Sequence, residues 1–258
     1  MKVTIITVCF NSERTIRGTI ESVLSQTYDD IEYIIVDGDS TDGTMNVVNN
    51  YVDDIDIVVS EPDKGIYDAM NKGLSLASGD AIGILNSDDF YNYTDVIKRV
   101  VEQFSNEPDS DIVFGDVVFV DSDDTDKIVR FYNSARFKPW KLRFGWMPPH
   151  PATFIKKSSY NSTGQYSLDY RISSDYEMFV RLLMVNASVI SRLDSVLVKM
   201  RAGGVSTSGF KSSLLLNREI VRACRSNGIY TNFFFILFKF PLKVMELFRK
   251  PVNRDSWE

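Results

Sequence analysis

Over its first hundred residues the chain alternates short apolar runs with segments whose apolar residues recur at helical spacing. No other feature restricts the fold as much. Residues 3–8, 31–36, 56–59 and 81–85 read as buried strands. Between them, Ser12 opens a helix with Ile16, Ile20, Val23 and Leu24 on one face. Residues 44–51 form a short helix, and Ile66, Met70, Leu74 and Ala77 line a third. Strands of this length alternating with helices imply a parallel, doubly wound α/β sheet. Ligands of such sheets sit beyond the carboxyl ends of the strands. The loops at residues 10–11, 37–44, 61–65 and 86–90 are therefore expected to line one site.

The second half reads differently. Residues 112–120 and 127–132 look like strands of a smaller mixed sheet, joined by an acidic turn, 121–126, that reads as a solvated loop. Ser174 opens a helix running to about Met184. Strands near Val189 and Val196 follow, then a helix from about Ser212 to Arg225. With 258 residues, 44% of them hydrophobic, the chain can bury a large core. Its formal charge of -6 does not fit a nucleic-acid binder. Cys9 and Cys224 lack metal-ligand spacing and suit a reducing compartment. The first ten residues read as a strand rather than a signal peptide, and no apolar run is long enough to span a membrane.

The familiar phosphate-binding loops are missing. Gly38 and Gly43 have the outer spacing of a phosphate loop, but Thr44 and Met45 stand where Lys and Ser/Thr are required. The loop after the first strand has no glycine for a dinucleotide fingerprint. A nucleotide here must be held in another way, most commonly by a divalent metal that neutralises a diphosphate. Asn86-Ser87-Asp88-Asp89 ends the fourth strand. Two adjacent carboxylates there suit magnesium or manganese, which take oxygen ligands from one or two carboxylates plus substrate phosphates. Adjacent side chains leave an extended strand on opposite sides, so one carboxylate can ligate while the other positions the sugar or a metal-bound water. The competing reading is an acidic turn that caps the next segment. Asp37-Gly38-Asp39-Ser40-Thr41-Asp42-Gly43-Thr44 also has two readings. One is turn chemistry, and the other makes Asp37 an acceptor for a base or ribose.

Taken together, Thr7-Val8-Cys9-Phe10-Asn11, the Asp37–Thr44 motif and Asp88-Asp89 stand in order, each at a strand end. This pattern resembles the inverting GT-A glycosyltransferases of family 2. Asp63-Lys64-Gly65-Ile66-Tyr67-Asp68-Ala69-Met70-Asn71-Lys72-Gly73 and His150-Pro151 are similar to the branch that builds bacterial surface polysaccharides of the colanic-acid type. The resemblance spans roughly residues 1–205 and implies a catalytic domain there. That domain has a nucleotide-binding half, 1–105, and an acceptor half, 106–205, with residues 206–258 as a C-terminal helical extension. It implies that Thr7, Asn11 and Asp37 lie around the nucleoside, that Asp42 supports their loop, and that Lys64 and Asn71 lie near the donor. Asp88 and Asp89 match the last two positions of the family's metal motif, for Mn2+ or Mg2+, and Asn86 stands where an aspartate is frequent. Asp39 is unusual in its loop and has no assigned role.

The family's catalytic base matches Asp175 in Ser173-Ser174-Asp175-Tyr176-Glu177. The same residues have a structural reading. Ser174 and Glu177 have the S-x-x-E spacing of a capping box, and an acid in the first turn favours the helix dipole. Glu177, two residues on, points to another side, so Asp175 is the better base. The implied reaction is a direct displacement. Asp175 accepts the proton of an acceptor hydroxyl as that hydroxyl attacks the anomeric carbon of a nucleotide-diphosphate sugar, with UDP favoured by family habit. His150, the only histidine, is either structural or close to the acceptor or metal.

Gly203-Gly204-Val205-Ser206 reads as a flexible segment over the site or as a plain turn. At helical spacing Phe233, Leu237, Phe240, Val244 and Phe248 share one face of the tail, opposite Lys239, Lys243, Glu246 and Lys250, with Pro241 as a kink. Such a helix lies on the inner face of a membrane, suiting a cytoplasmic enzyme with a lipid-linked glycan acceptor, or packs on the domain or in a homodimer. Two rival functions remain. A sugar-nucleotide nucleotidyltransferase wants a glycine-rich basic first loop, which residues 10–14 lack. A non-enzymatic carbohydrate- or membrane-binding module would not need Asp88, Asp89 and Asp175 together.

Overall fold

A computed structural model describes residues 1–203 and 209–238. The expected segment at Gly204-Val205-Ser206 and the expected amphipathic face from Phe240 to Phe248, with its kink at Pro241, lie outside these residues. The chain is an α/β fold built on one sheet, which gathers nine strands among the described residues. The first half runs β1 (Val3–Cys9), α1 (Ile16–Leu24), β2 (Ile31–Asp37), α2 (Thr44–Asn49), β3 (Ile57–Ser60), α3 (Ile66–Leu76), β4 (Ala81–Ile84), β5 (Asp89–Tyr91) and α4 (Val96–Asn106). The second runs β6 (Ile112–Val120), β7 (Ile128–Tyr132), β8 (Thr153–Lys156), α5 (Lys157–Thr163), α6 (Ser174–Val180), β9 (Ile190–Arg201), α7 (Gly209–Ser226) and α8 (Phe233–Leu237).

The strand order is β3-β2-β1-β4-β8-β6-β9-β5, with β7 paired to β6. The expected mixed part is continuous with the parallel part: β8 lies antiparallel between β4 and β6, and β6 then pairs with β9 in parallel. All seven residues of β1 are buried because both faces of the sheet are covered. Alternation divides the core in two. Ile6 and Val8 pack with Met70 of α3, while Val3, Ile5 and Cys9 pack with Ile16 and Ile20 of α1 and Val100 of α4. The register runs in step from Val3↔Ile31 to Cys9↔Asp37. The loops after β1 and β2 therefore leave the sheet side by side.

Four expectations change. α1 starts at Ile16, and Ser12 does not cap it. The Ser12 carbonyl accepts the Thr15 and Ile16 amides, each at 3.0 Å, and its hydroxyl turns to Ser87. Leu24 and Ile66 are exposed, each at the end of its helix where the sheet no longer covers it. The two strands near Val189 and Val196 are one, β9. The Ser174–Glu177 capping box does not form. Ser174 donates to the Ser167 carbonyl at 2.7 Å, and Glu177 is taken by Arg181.

Candidate active site

Three loops meet at the carboxyl ends of β1, β2 and β3. Asn11 has a positive φ of 49°, a conformation asparagine tolerates. Its side-chain oxygen accepts the Thr41 amide at 2.9 Å, and its own amide donates to Ser40 Oγ at 2.8 Å. Asp42 accepts the Thr44 amide at 2.9 Å and the Glu13 amide at 3.2 Å, stitching the β2 loop to the β1 loop. The Thr44 hydroxyl bond is the main cause that holds its carboxyl below the usual range. Gly38 brings the third loop close, since a Cβ there would stand 2.4 Å from Asp63 Oδ2.

Asp37 and Thr7 are buried at the ends of their strands. The Asp37 carboxylate is fully buried and accepts from the Ser40 and Ser60 hydroxyls at 2.5 and 2.7 Å and from the Cys9 thiol. Burial, then the Asp37 charge, pushes that thiol up, so Cys9 stays protonated. Thr7 is buried too, and its hydroxyl accepts from Tyr33 at 3.1 Å. Both residues are hydrogen-bonded within the strand ends.

The fourth loop carries the two adjacent carboxylates. Asp89 is 2% exposed and opens β5, and Asp88 is half-buried beside it. Burial raises both, Asp89 well above the carboxylate range because the Asp88 charge adds to it. The Asn86 amide donates to Asp89 Oδ2 at 3.2 Å, whereas Asn86 Oδ1 is buried with no partner. Arg201, at the end of β9, is the nearby positive charge that partly offsets the pair. The loop is fastened by the Ser12–Ser87 hydroxyl contact at 2.8 Å and by Thr19, which donates to the Asp89 carbonyl at 2.7 Å.

In the second half of the chain, Asp175 lies in the first turn of α6. Its Oδ1 accepts the Tyr176 amide at 2.8 Å and the Tyr67 hydroxyl at 3.3 Å, leaving Oδ2 without a side-chain partner among the described residues. Burial pushes its carboxyl up to about 6. Tyr67 stacks on Tyr166 at 6.0 Å, and the Tyr166 hydroxyl meets His150 Nε2 at 2.8 Å. Burial pulls His150 down to about 4, so it is neutral at neutral pH. Glu177 is saturated by Arg181 and Asn227, which leaves Asp175 as the free acid of the pair. Asn71, expected near the donor, spends both ends of its amide on the Tyr166 backbone, each at 2.8 Å, and so positions that ring. Lys64 is exposed, and its ammonium has no partner among the described residues.

A family model described as Glycosyl transferase family 2 matches residues 4–163. The chain belongs to that family. Its fold is the GT-A-like α/β fold, and it is a nucleotide-sugar glycosyltransferase by membership. It is 29% identical over 215 residues to a PGL/p-HBAD biosynthesis glycosyltransferase of Mycobacterium bovis (strain BCG / Pasteur 1173P2), covering 82% of this chain and 79% of that one. A shorter match, 39% over 99 residues, is to the Escherichia coli UDP-Glc:alpha-D-GlcNAc-diphosphoundecaprenol beta-1,3-glucosyltransferase WfaP, covering 38% of this chain and 39% of that one. Among solved structures it is similar to S. aureus TarS 1-349 in complex with UDP-GlcNAc, with a TM-score of 0.66 at 19% identity, covering 87% of this chain and 66% of that one. It is also similar to the Pyrobaculum calidifontis mannosyltransferase PcManGT in complex with GDP-Man and Mn2+, with a TM-score of 0.65 at 20% identity, covering 87% and 63%.

The chemistry of the loop that carries Asp88 and Asp89 fits a divalent cation. Asp88 and Asp89 are hard oxygen donors whose crowded charge a cation would relieve, and the orphaned Asn86 Oδ1 lies on the same loop. Among the described residues no group of three or more acids, histidines or cysteines could cage an ion. The remaining positions of such an ion would fall to donor phosphates and water. Three residues of the site escaped sequence reading. Tyr67 and Tyr166 build the wall behind Asp175. Glu219 of α7 accepts the Arg171, Ile172 and Ser173 amides and the Ser173 hydroxyl, holding the start of α6 in place. Tyr67 lay within a recognised motif, but nothing in the sequence tied it to an acid 108 residues away.

Proposed function

We propose that this chain moves a sugar from a nucleotide-diphosphate donor, UDP-sugars being favoured, to a hydroxyl acceptor with inversion at the anomeric carbon. The acceptor is a lipid-linked glycan in surface-polysaccharide synthesis of the colanic-acid type, met on the inner face of the cell membrane. One observation carries the reading. Asp175 combines an upward-shifted carboxyl, an anchored Oδ1 and an Oδ2 without a side-chain partner among the described residues.

At about 6, Asp175 is ionised at neutral pH yet far more basic than an ordinary aspartate near 3.9. The acceptor oxygen bonds to the anomeric carbon, its proton passes to Asp175, and the bond to the diphosphate breaks with its electron pair on the phosphate oxygen. Mn2+ or Mg2+ held by Asp88 and Asp89 would supply Lewis-acid stabilisation of the departing diphosphate. Tyr67 fixes the carboxylate, Lys64 stands free for donor phosphate, and the rings of Tyr166 and His150 form the acceptor wall. Similar proteins support the donor class: one is named for UDP-Glc, one is bound to UDP-GlcNAc, and one is bound to GDP-Man with Mn2+. The diphosphoundecaprenol in one of those names supports the acceptor class.

The test is to incubate the protein with UDP-glucose, UDP-GlcNAc or GDP-mannose, manganese and a lipid-diphosphate sugar. The anomeric configuration of the product is read by NMR, beside Asp175→Asn. Inversion that depends on Asp175 is expected. A product with retained configuration, or undiminished transfer by the variant, overturns the reading.

A further inference from the structure

We infer that the 3-10 turn Pro139–Phe144 and α8 together form a docking face for an anionic lipid bilayer, set directly behind the helix that carries Asp175. The charge of the chain is segregated. Its net charge is -6, yet residues 127–168 contain no aspartate or glutamate. Within that stretch Arg136, Lys138, Lys141 and Arg143 surround Trp140. Among the described residues none of the four meets a carboxylate within ion-pair distance. Lys141 instead reaches the Arg136 carbonyl and the Trp140 ring. Trp140 itself is 55% exposed.

α8 extends this platform with apolar surface. Three contacts hold it there. The Phe235 ring stacks on Phe144 at 4.9 Å, Ile236 is buried, and the Thr231 hydroxyl donates to the Arg143 carbonyl at 2.5 Å. Those inward contacts leave Phe233, Phe234, Leu237 and Phe238 exposed, Phe234 by 75%. Large aromatic and aliphatic side chains beside unpaired Lys and Arg are the composition of an interfacial membrane site. Charge decides between occupants. Two copies of this chain meeting on the same patch would oppose like charges, whereas an anionic bilayer complements them.

The position of the face gives it a use. Tyr176, the residue after Asp175, donates its hydroxyl to the Leu142 carbonyl inside the turn. A bilayer on this face would hold a lipid-linked acceptor on the side of the fold that carries α6. That use rests on the transfer proposed above; the attraction to lipid does not.

The experiment is flotation of the full chain with vesicles of phosphatidylcholine alone or mixed with phosphatidylglycerol, at low and high salt. The mixed vesicles are expected to carry the protein, and salt to release it. Replacing Lys138, Lys141 and Arg143 by glutamine is expected to weaken partitioning about 100-fold, at about fivefold per basic residue near the surface. Trp140→Ala with Phe234→Ala is expected to weaken it further. Transfer to a water-soluble acceptor by the glutamine variant is the fold control and is expected to be unchanged. Protein left unbound by the anionic vesicles, or bound equally well by the glutamine variant, overturns the proposal. So does a dimer in sedimentation that these substitutions dissolve, because a second copy would then cover the face. Failed flotation with transfer intact refutes the docking face alone; flotation without transfer refutes the transferase reading alone.

Discussion

Replacing Asp175 by asparagine should disable the reaction and stabilise the fold. Burial pushes this carboxyl up to about 6, against a smaller downward pull from the Tyr176 amide and the Tyr67 hydroxyl. An ordinary aspartate titrates near 3.9, and each pH unit of difference is worth about 1.4 kcal/mol, so the ionised carboxylate costs the fold up to about 3 kcal/mol. Water reaches the half-buried group and screens part of this, leaving about 1–3 kcal/mol. The sign follows from proton linkage. Below about pH 3.9 the group is protonated in both the folded and unfolded chains, and there is no cost. Between about 3.9 and 6 only the unfolded chain releases its proton, so stability falls as pH rises. Above about 6 the cost is complete. Asp175→Asn should therefore melt about 2–12 °C above the parent at pH above 7, at about 2–4 °C per kcal/mol, with the advantage gone in acid. Its turnover should fall about 10²–10⁴-fold through loss of the base. Thermal denaturation across pH, paired with initial rates, tests both. A variant no more stable than the parent at neutral pH, turning over at the parental rate, would refute the reasoning.

Other substitutions probe the parts separately. In the parent, activity should rise with pH through about 6 as Asp175 ionises. Tyr67→Phe removes a bond to the ionised form, so that limb should move upward by less than about one pH unit, with turnover down about 2–10-fold; an unmoved limb would show that Tyr67 does not tune the base. Glu219→Ala leaves three amides and a hydroxyl at the start of α6 without their acceptor. It should cost about 2–4 kcal/mol in urea denaturation, and a loss under about 0.5 kcal/mol would contradict the role given to it. Lys64→Ala should change stability by less than about 0.5 kcal/mol, since its side chain is exposed and has no partner among the described residues, while raising the donor KM at nearly constant melting temperature.

The parallel half of the fold was legible because its signals are local. Apolar runs marked β1 to β4, and Ile16, Ile20 and Val23 marked α1. α4 carries an equally plain pattern, with Val96, Ile97, Val100 and Phe104 all buried, and could have been found the same way. β5 and β8 could not, since Asp89–Tyr91 starts inside the acidic motif and Thr153–Lys156 offers only Phe154 and Ile155 as an apolar run. In the site, strand ends located the loops that hold Asn11, Asp42, Asp88 and Asp89. What those side chains meet was not legible. Asn71 looked like a donor residue from its motif, yet its partner is the backbone of Tyr166, 95 residues on. The S-x-x-E pattern at Ser174 suggested a cap, whereas the Glu177–Arg181 pair at i,i+4 spacing competes for the same carboxylate and wins. Glu219 supplies from another helix what the local pattern seemed to promise.

The proposed transfer requires Asp88 and Asp89 to bind a nucleotide diphosphate through a divalent metal. Calorimetric titration of UDP and GDP, with and without manganese, on the parent and on Asp89→Asn tests it most directly. The account predicts manganese-dependent binding of one nucleotide, weakened at least about tenfold in the variant. Folded protein that binds neither nucleotide, or a variant that binds as tightly as the parent, would contradict it.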